Sequence, residues 1–205
     1  MNILLYALIV SLAYLLGCSN MALYVSKLKG VDMRASGSKN LGASNAMVLM
    51  GWRFGVLVGI HDIGKAVLAV ALARYLGGEL PYIAAAAGVA CVLGHIFPFY
   101  LRFKGGKGFA SYLGMTLALN WKFALVVMLI VVLVTLISDY IVVGTVTTVL
   151  IVPAYMAFTG SLLVSVILSM ATLAILYKHG ENFVRLYRGT EIGLRRANRG
   201  DDRKL

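Results

Sequence analysis

A chain of 205 residues that is 60% hydrophobic and only 13% charged has apolar runs too long for a soluble core; it reads as an all-α, polytopic membrane protein. Its formal net charge of +11 is therefore not a nucleic-acid signature. In a membrane chain, Lys and Arg mark the cytoplasmic loops and meet anionic headgroups. Cys18 and Cys91 both lie inside apolar runs, which argues for small buried side chains and against disulfide or metal roles.

Along the chain, apolar segments fall at 3–25, 54–76, 81–101, 108–119, 121–137, 140–158 and 161–177. They predict seven transmembrane helices. The segment 108–119 is the short one, since a full crossing takes about 20 residues. The first run, MNILLYALIVSLAYLLGC, has no basic stretch ahead of it and reads as a retained span. With the N-terminus outside and all seven segments crossing, the inner loops are 26–53, 102–107, 138–139 and the tail from Lys178. These hold sixteen of the nineteen Lys and Arg residues, while Arg74 and Lys122 fall outside and Lys65 lies within a span. The positive-inside rule therefore predicts an outer N-terminus and a cytoplasmic C-terminus. One membrane-embedded domain, 1–205, is expected, with 192–205 as a solvated tail.

Three polar segments share the predicted inner face. The first, SGSKNLGASNA (36–46), combines Ser36, Ser38 and Ser44 with Asn40, Asn45, Gly37, Gly42 and Lys39. Such a loop offers many neutral donors to a phosphate. By itself it reads more simply as a polar loop whose Ser44 or Asn45 caps the next helix. The second, GHIFPFYLRFKGGKGFAS (94–111), threads Arg102, Lys104 and Lys107 through Gly105, Gly106 and Gly108. Glycine amides that turn inward and a following helix N-terminus would make a phosphate cradle; a topology-setting basic turn is the plainer reading. His95 is either a substrate contact or a hydrogen-bonded structural residue, and Pro98 ends the third helix. The third segment, KHGENFVRLYRGTE (178–191), places His179, Asn182 and Arg185, and less closely Glu181, on one helix face. Phe183, Leu186 and Tyr187 give it an apolar side suited to the membrane plane.

Within the second span, Asp62 and Lys65 are three residues apart and share a helix face. Each costs about 2.5–3.5 kcal/mol if left alone at a bilayer centre, so a structural ion pair facing the bundle is expected. Asp139 falls at a predicted turn and reads as solvated. No GxxxxGK[ST] or GxSxG motif occurs, which argues against a Walker loop and a serine-hydrolase elbow. His61, His95 and His179 lack zinc-ligand spacing, so no metal or cofactor is expected. Five residues after each histidine stand Ala66, Tyr100 and Val184, so the HxxxxD base of soluble-type acyltransferases is missing.

In order and spacing, the three segments resemble the bacterial integral-membrane acyl-phosphate:glycerol-3-phosphate acyltransferases, the PlsY family. Its motifs run approximately GSGNxGATN, GHxFPxxLxFKGGKGxAT and HxxNxxRLxxGxE. They are matched here by GSKNLGASN (37–45), GHIFPFYLRFKGGKGFAS (94–111) and HGENFVRLYRGTE (179–191). The resemblance covers nearly the whole chain, including the Asp-x-x-Lys pair. It implies transfer of a fatty acyl group from acyl phosphate to the 1-hydroxyl of glycerol 3-phosphate, giving lysophosphatidate and phosphate at the cytoplasmic face of the inner membrane. No cofactor, nucleic acid or obligate protein partner is implied.

Carried over by position, the resemblance gives Ser38, Lys104, His179 and Asn182 the catalytic and substrate-orienting roles. Gly37, Asn40, Gly42, Ser44 and Asn45 would build the phosphate loop. Gly105, Gly106 and Gly108 would form its wall, with Lys104 and Lys107 as cationic contacts. His95, Asp62 and Lys65 would support the site, and Glu191 with Arg185 would hold the third motif together. The sequence departs from the pattern at Val48, where the family has a phosphate-contacting Arg, and at Lys39, which replaces a glycine. The family's Arg-Tyr-x-Ser reads Asp139-Tyr140-Ile141-Val142 here. Two rival readings remain, a non-catalytic or repurposed paralogue that binds a phosphate-bearing ligand and a small anion transporter.

Overall fold

The computed structural model describes residues 3–195, and these contain helices, turns and loops but no strand. Two compact units are described separately, Met1–Trp121 and Lys122–Leu205.

The first unit begins with α1 (Ile3–Cys18) and α2 (Met21–Lys29). The first apolar segment is thus not one unbroken helix. Asn20 adopts an extended conformation and its side chain accepts the Leu23 N–H at 2.9 Å, which starts a new helix. Together Ile3–Lys29 are still long and apolar enough to cross a bilayer. Then come α3 (Ala43–Met50), α4 (Trp52–Gly77), α5 (Ile83–Ile96), a single 3-10 turn at Phe99–Leu101, and α6 (Phe109–Leu119). Small residues let these helices approach backbone to backbone. A Cβ at Gly17 would overlap the Cys91 carbonyl, and one at Gly94 the Tyr14 carbonyl, so α1 and α5 touch closely. Gly114 plays the same part where α6 meets the Ile63 carbonyl of α4. Arg74, which the predicted topology leaves outside the inner loops, donates to the Ala118 and Leu119 carbonyls at 2.7 and 3.2 Å. It caps the C-terminal end of α6, where a cation is favoured.

The second unit holds α7 (Trp121–Ser138), which starts at the boundary residue, then α8 (Ile141–Phe158), α9 (Leu162–Lys178) and α10 (Gly180–Tyr187). Phe123 of α7 stacks on Tyr155 of α8 with ring centroids 3.8 Å apart. Thr172 of α9 donates to the Val149 carbonyl of α8 at 2.8 Å. Asp139 is not a solvated turn residue. Its carbonyl accepts the Leu194 N–H at 2.7 Å and its carboxylate the Arg195 N–H at 2.9 Å. The start of the expected solvated tail is therefore pinned, with Gly193 buried; 196–205 lie outside the described residues.

Every predicted apolar segment is helical, but crossing length separates them. Among the described residues, five helical stretches are long and apolar enough to span, or six if α9 and α10, bent by 50°, count as one. α6, at 11 residues, is about 16 Å long against an apolar core of about 30 Å.

Candidate active site

Residues 36–42 form a loop folded around one side chain. Asn45, in the first turn of α3 and 2% exposed, accepts the Ser38 N–H at 3.0 Å. Its amide nitrogen donates toward the carbonyls of Met33 and Asn40 at 3.0 Å and Ser36 at 3.3 Å. Asn45 thus shapes the loop from beneath while Ser38, Lys39 and Ser44 remain exposed. The helix cap is Gly42, with no side-chain bond, so neither Ser44 nor Asn45 is the N-cap. Lys39, at the position where the resemblance expects glycine, has φ 55°. That left-handed conformation favours glycine, and a lysine there is held against about 1–2 kcal/mol of strain.

The second loop leaves α5 and turns back on it. The Gly105 N–H donates to the Ile96 carbonyl at 3.0 Å and the Gly106 N–H to the His95 carbonyl at 3.2 Å. These two amides are therefore not turned toward an anion, as the cradle reading expects; they satisfy the last carbonyls of α5. The glycines are needed for space. A Cβ at Gly105 would lie 2.5 Å from Pro98 Cδ, and one at Gly106 would overlap His95 Nε2 and lie 2.7 Å from the Leu41 carbonyl oxygen. Gly106 is thus where the first and second segments meet. Arg102 and Phe103 both have positive φ, 53° and 60°, a strained pair of the kind found beside working sites. Lys104 is exposed next to them. Gly108 caps α6 with φ 88°, and the first-turn amides of α6, Phe109 and Ala110, have no intrahelical acceptor. Those amides, with Lys104 and Lys107 in the adjoining loop, supply the anion-attracting end.

Beneath this junction lies a buried polar cluster. Lys65 Nζ donates to Asp62 Oδ1 at 2.9 Å, to the Ser19 carbonyl at 2.7 Å and to His95 Nδ1 at 2.8 Å. Asp62 Oδ1 also lies 3.3 Å from His95 Nδ1 and 3.4 Å from His61 Nδ1, and His61 Nε2 is 3.0 Å from Ser19 Oγ. Asp62, Lys65 and His95 are 2–4% exposed. The i,i+3 spacing anticipates the Asp62–Lys65 pair but not its other members. Their signal is only that Ser19, His61 and His95 are polar residues in apolar runs.

The third segment belongs to the second unit. His179, at the α9–α10 bend, is buried and its Nδ1 contacts the Ile175 carbonyl at 2.8 Å. With that nitrogen donating, the lone pair of the neutral ring sits on Nε2. Glu191 receives Asn182 Nδ2 at 2.6 Å and Arg185 Nε at 2.7 Å, while Arg185 reaches Glu181 only at 3.8 Å. The carboxylate therefore closes the turn after α10 back onto the helix. Phe183, Val184 and Tyr187 stay exposed. Glu191→Ala is expected to destabilise this turn by about 1–2 kcal/mol, because two charge-assisted bonds go and Arg185 is part-solvated. Faster amide exchange across 182–191 is the readout.

Among the described residues no cluster of three or more His, Cys, Asp or Glu side chains is arranged to hold a metal ion. Over residues 7–189 the chain matches the model of the family described as glycerol-3-phosphate acyltransferase. The chain belongs to the glycerol-3-phosphate acyltransferase family. It is 35% identical to glycerol-3-phosphate acyltransferase 1 of Oceanobacillus iheyensis, over 88% of this chain and 91% of that one. It is 37% identical to the glycerol-3-phosphate acyltransferase of Geotalea daltonii, over 87% and 92%. A crystal structure of PlsY, an integral membrane glycerol 3-phosphate acyltransferase in its glycerol 3-phosphate form, superposes with a TM-score of 0.84 at 32% identity. The match covers 92% of this chain and 95% of that one. The lysophosphatidic acid form matches with a TM-score of 0.83. This acyltransferase is accordingly a multi-pass, all-helical membrane protein.

Proposed function

We propose that this acyltransferase moves a fatty acyl group from acyl phosphate to the 1-hydroxyl of glycerol 3-phosphate. The hydroxyl oxygen bonds to the acyl carbon, the acyl–phosphate C–O bond breaks, and the products are lysophosphatidate and phosphate. Acyl phosphate is already activated, so the protein's work is to position two anionic head groups and to stabilise developing charge. A substrate phosphate accepts the proton of the attacking hydroxyl, in keeping with the missing HxxxxD base. The observation that carries this reading is the junction at Gly106, where the hydroxyl- and amide-rich loop meets the lysine–glycine loop beside the α6 N-terminus. Ser38, Lys104 and Lys107 serve the phosphates there; His179 and Asn182 are the positions to which the family resemblance gives the orienting of glycerol 3-phosphate. With all seven apolar segments crossing, the short α6 included, the charge distribution supports an outer N-terminus and a site facing the cytoplasm from the inner membrane. Against anion transport stands the Lys65 ammonium, whose three hydrogens are all taken by protein acceptors.

Purified protein given acyl phosphate and glycerol 3-phosphate is expected to release phosphate. Val48, 67% exposed, stands where the family has an Arg, and a charge-assisted phosphate contact contributes about 1.5–3 kcal/mol. Val48→Arg is therefore expected to raise turnover by about one to two decades. Phosphate-ligand binding with no turnover in either form of a folded sample would replace this reading with a non-catalytic paralogue.

A further inference from the structure

The buried cluster does more than neutralise itself: we infer that Lys65 and Asp62 orient His95 as the positioning residue that holds the first and second motif loops together. His95 Nδ1 lies 2.8 Å from an ammonium that has only protons to offer. The same nitrogen lies 3.3 Å from Asp62 Oδ1; the shorter contact, to a group that only donates, assigns the lone pair to Nδ1 and the neutral ring's N–H to Nε2. The opposite tautomer would set an N–H against Lys65 Nζ. The third hydrogen of Lys65 has no other acceptor in the cluster, since the first two go to Asp62 and Ser19.

Nε2 is the atom that faces the loops. It overlaps the position that a Cβ on Gly106 would take, and the Leu41 carbonyl oxygen of the first motif lies 2.7 Å from that position. The backbone of His95 holds Gly106 as well, through its carbonyl. The ring packs against Gly106 and the backbone carbonyl of His95 accepts its N–H, so both parts of one residue fix the glycine loop where it meets the first loop. Lys104 and Lys107, two residues before and one after Gly106, follow its position. A ring that turned would let the two loops separate.

Two substitutions divide this role from simple filling of a buried hole. Asn at 95 keeps an acceptor near the Nδ1 position for Lys65 but does not reach the loops. Gln places its amide N–H near the Nε2 position but gives up the Lys65 acceptor. His95→Gln is expected to exceed His95→Asn in kcat by about tenfold or more, with KM for glycerol 3-phosphate shifted much less, as misplacement of a pre-organised wall requires. Amide exchange of the segment 101–108 is expected to be faster in the Asn variant than in the Gln variant. If the cluster serves folding alone, the Asn variant, which satisfies Lys65, has the higher thermal midpoint, the higher kcat and the slower exchange; that result overturns the inference. The kinetic arm rests on the acyl-transfer reading, whereas the exchange arm does not. Absence of turnover in the parent protein counts against the reaction and leaves exchange to decide the role of His95.

Discussion

Gly106→Ala is expected to lower acyl transfer by about a hundredfold or more while the helices stay folded. The added methyl would occupy the space of His95 Nε2 and stand 2.7 Å from the Leu41 oxygen. Neither neighbour is the loose end of a flexible side chain: His95 is buried and held by Lys65, and Leu41 O is backbone. The glycine loop itself must therefore move, and shifts of about 1 Å in a pre-organised site cost about two decades in rate. Gly64→Ala is the matched control. Gly64 lies in α4 beside Lys65, is exposed, and its added Cβ meets nothing within 4 Å. It is expected to retain turnover and to gain about 0.5–1 kcal/mol from helix propensity. Phosphate release by the two variants, with helical content measured alongside, checks the pair. Equal activities would mean that close packing at Gly106 has no bearing on the reaction.

Lys65→Met is expected to destabilise the protein by about 3–5 kcal/mol, because it strands the Asp62 carboxylate in the bundle. The replacement fills similar volume, so little of the loss comes from a cavity. His61 and His95 still approach Asp62 at 3.4 and 3.3 Å, but neither supplies the permanent charge that Lys65 does. The double variant Asp62→Leu/Lys65→Met removes both charges and is expected to regain more than half of the lost stability, since an apolar pair of similar size replaces a buried ion pair at little cost. Unfolding in detergent reads both. A double variant no more stable than the single one would assign the loss to packing. Even where stability returns, turnover is expected to stay low, because the ring of His95 has lost the donor that orients it.

These expectations show which parts of the molecule were legible in the chain itself. Helix positions were, because lipid rewards uninterrupted apolar runs and leaves no other way to satisfy the backbone. The break at Ser19–Asn20 was missed, since Asn20 caps α2 from inside what reads as a continuous apolar segment. Asp139 was misread for a related reason: an acidic residue at a turn gives no sign that residues 194 and 195 will return to bind it. In the site, the pairing of Asp62 with Lys65 follows from helical spacing. The roles of the glycines do not follow from it. The same GGKG stretch is compatible with amides turned toward an anion and with amides spent on the end of α5, and only the path of the chain distinguishes them. Asn45 is a similar case, a polar loop residue by composition and the loop's internal scaffold by position.

Local composition and periodicity, then, were enough to settle that this is a helical membrane protein and to name its three polar segments, because hydrophobic length and motif spacing are properties of neighbouring residues. Which atoms meet was a matter for the fold alone. Ser19, Asp62, Lys65 and His95 are spread over 76 positions, and no short-range rule could announce that one ammonium would find its three acceptors among them. Burial away from water made that arrangement obligatory once the helices packed, since each unpaired polar group there costs several kcal/mol.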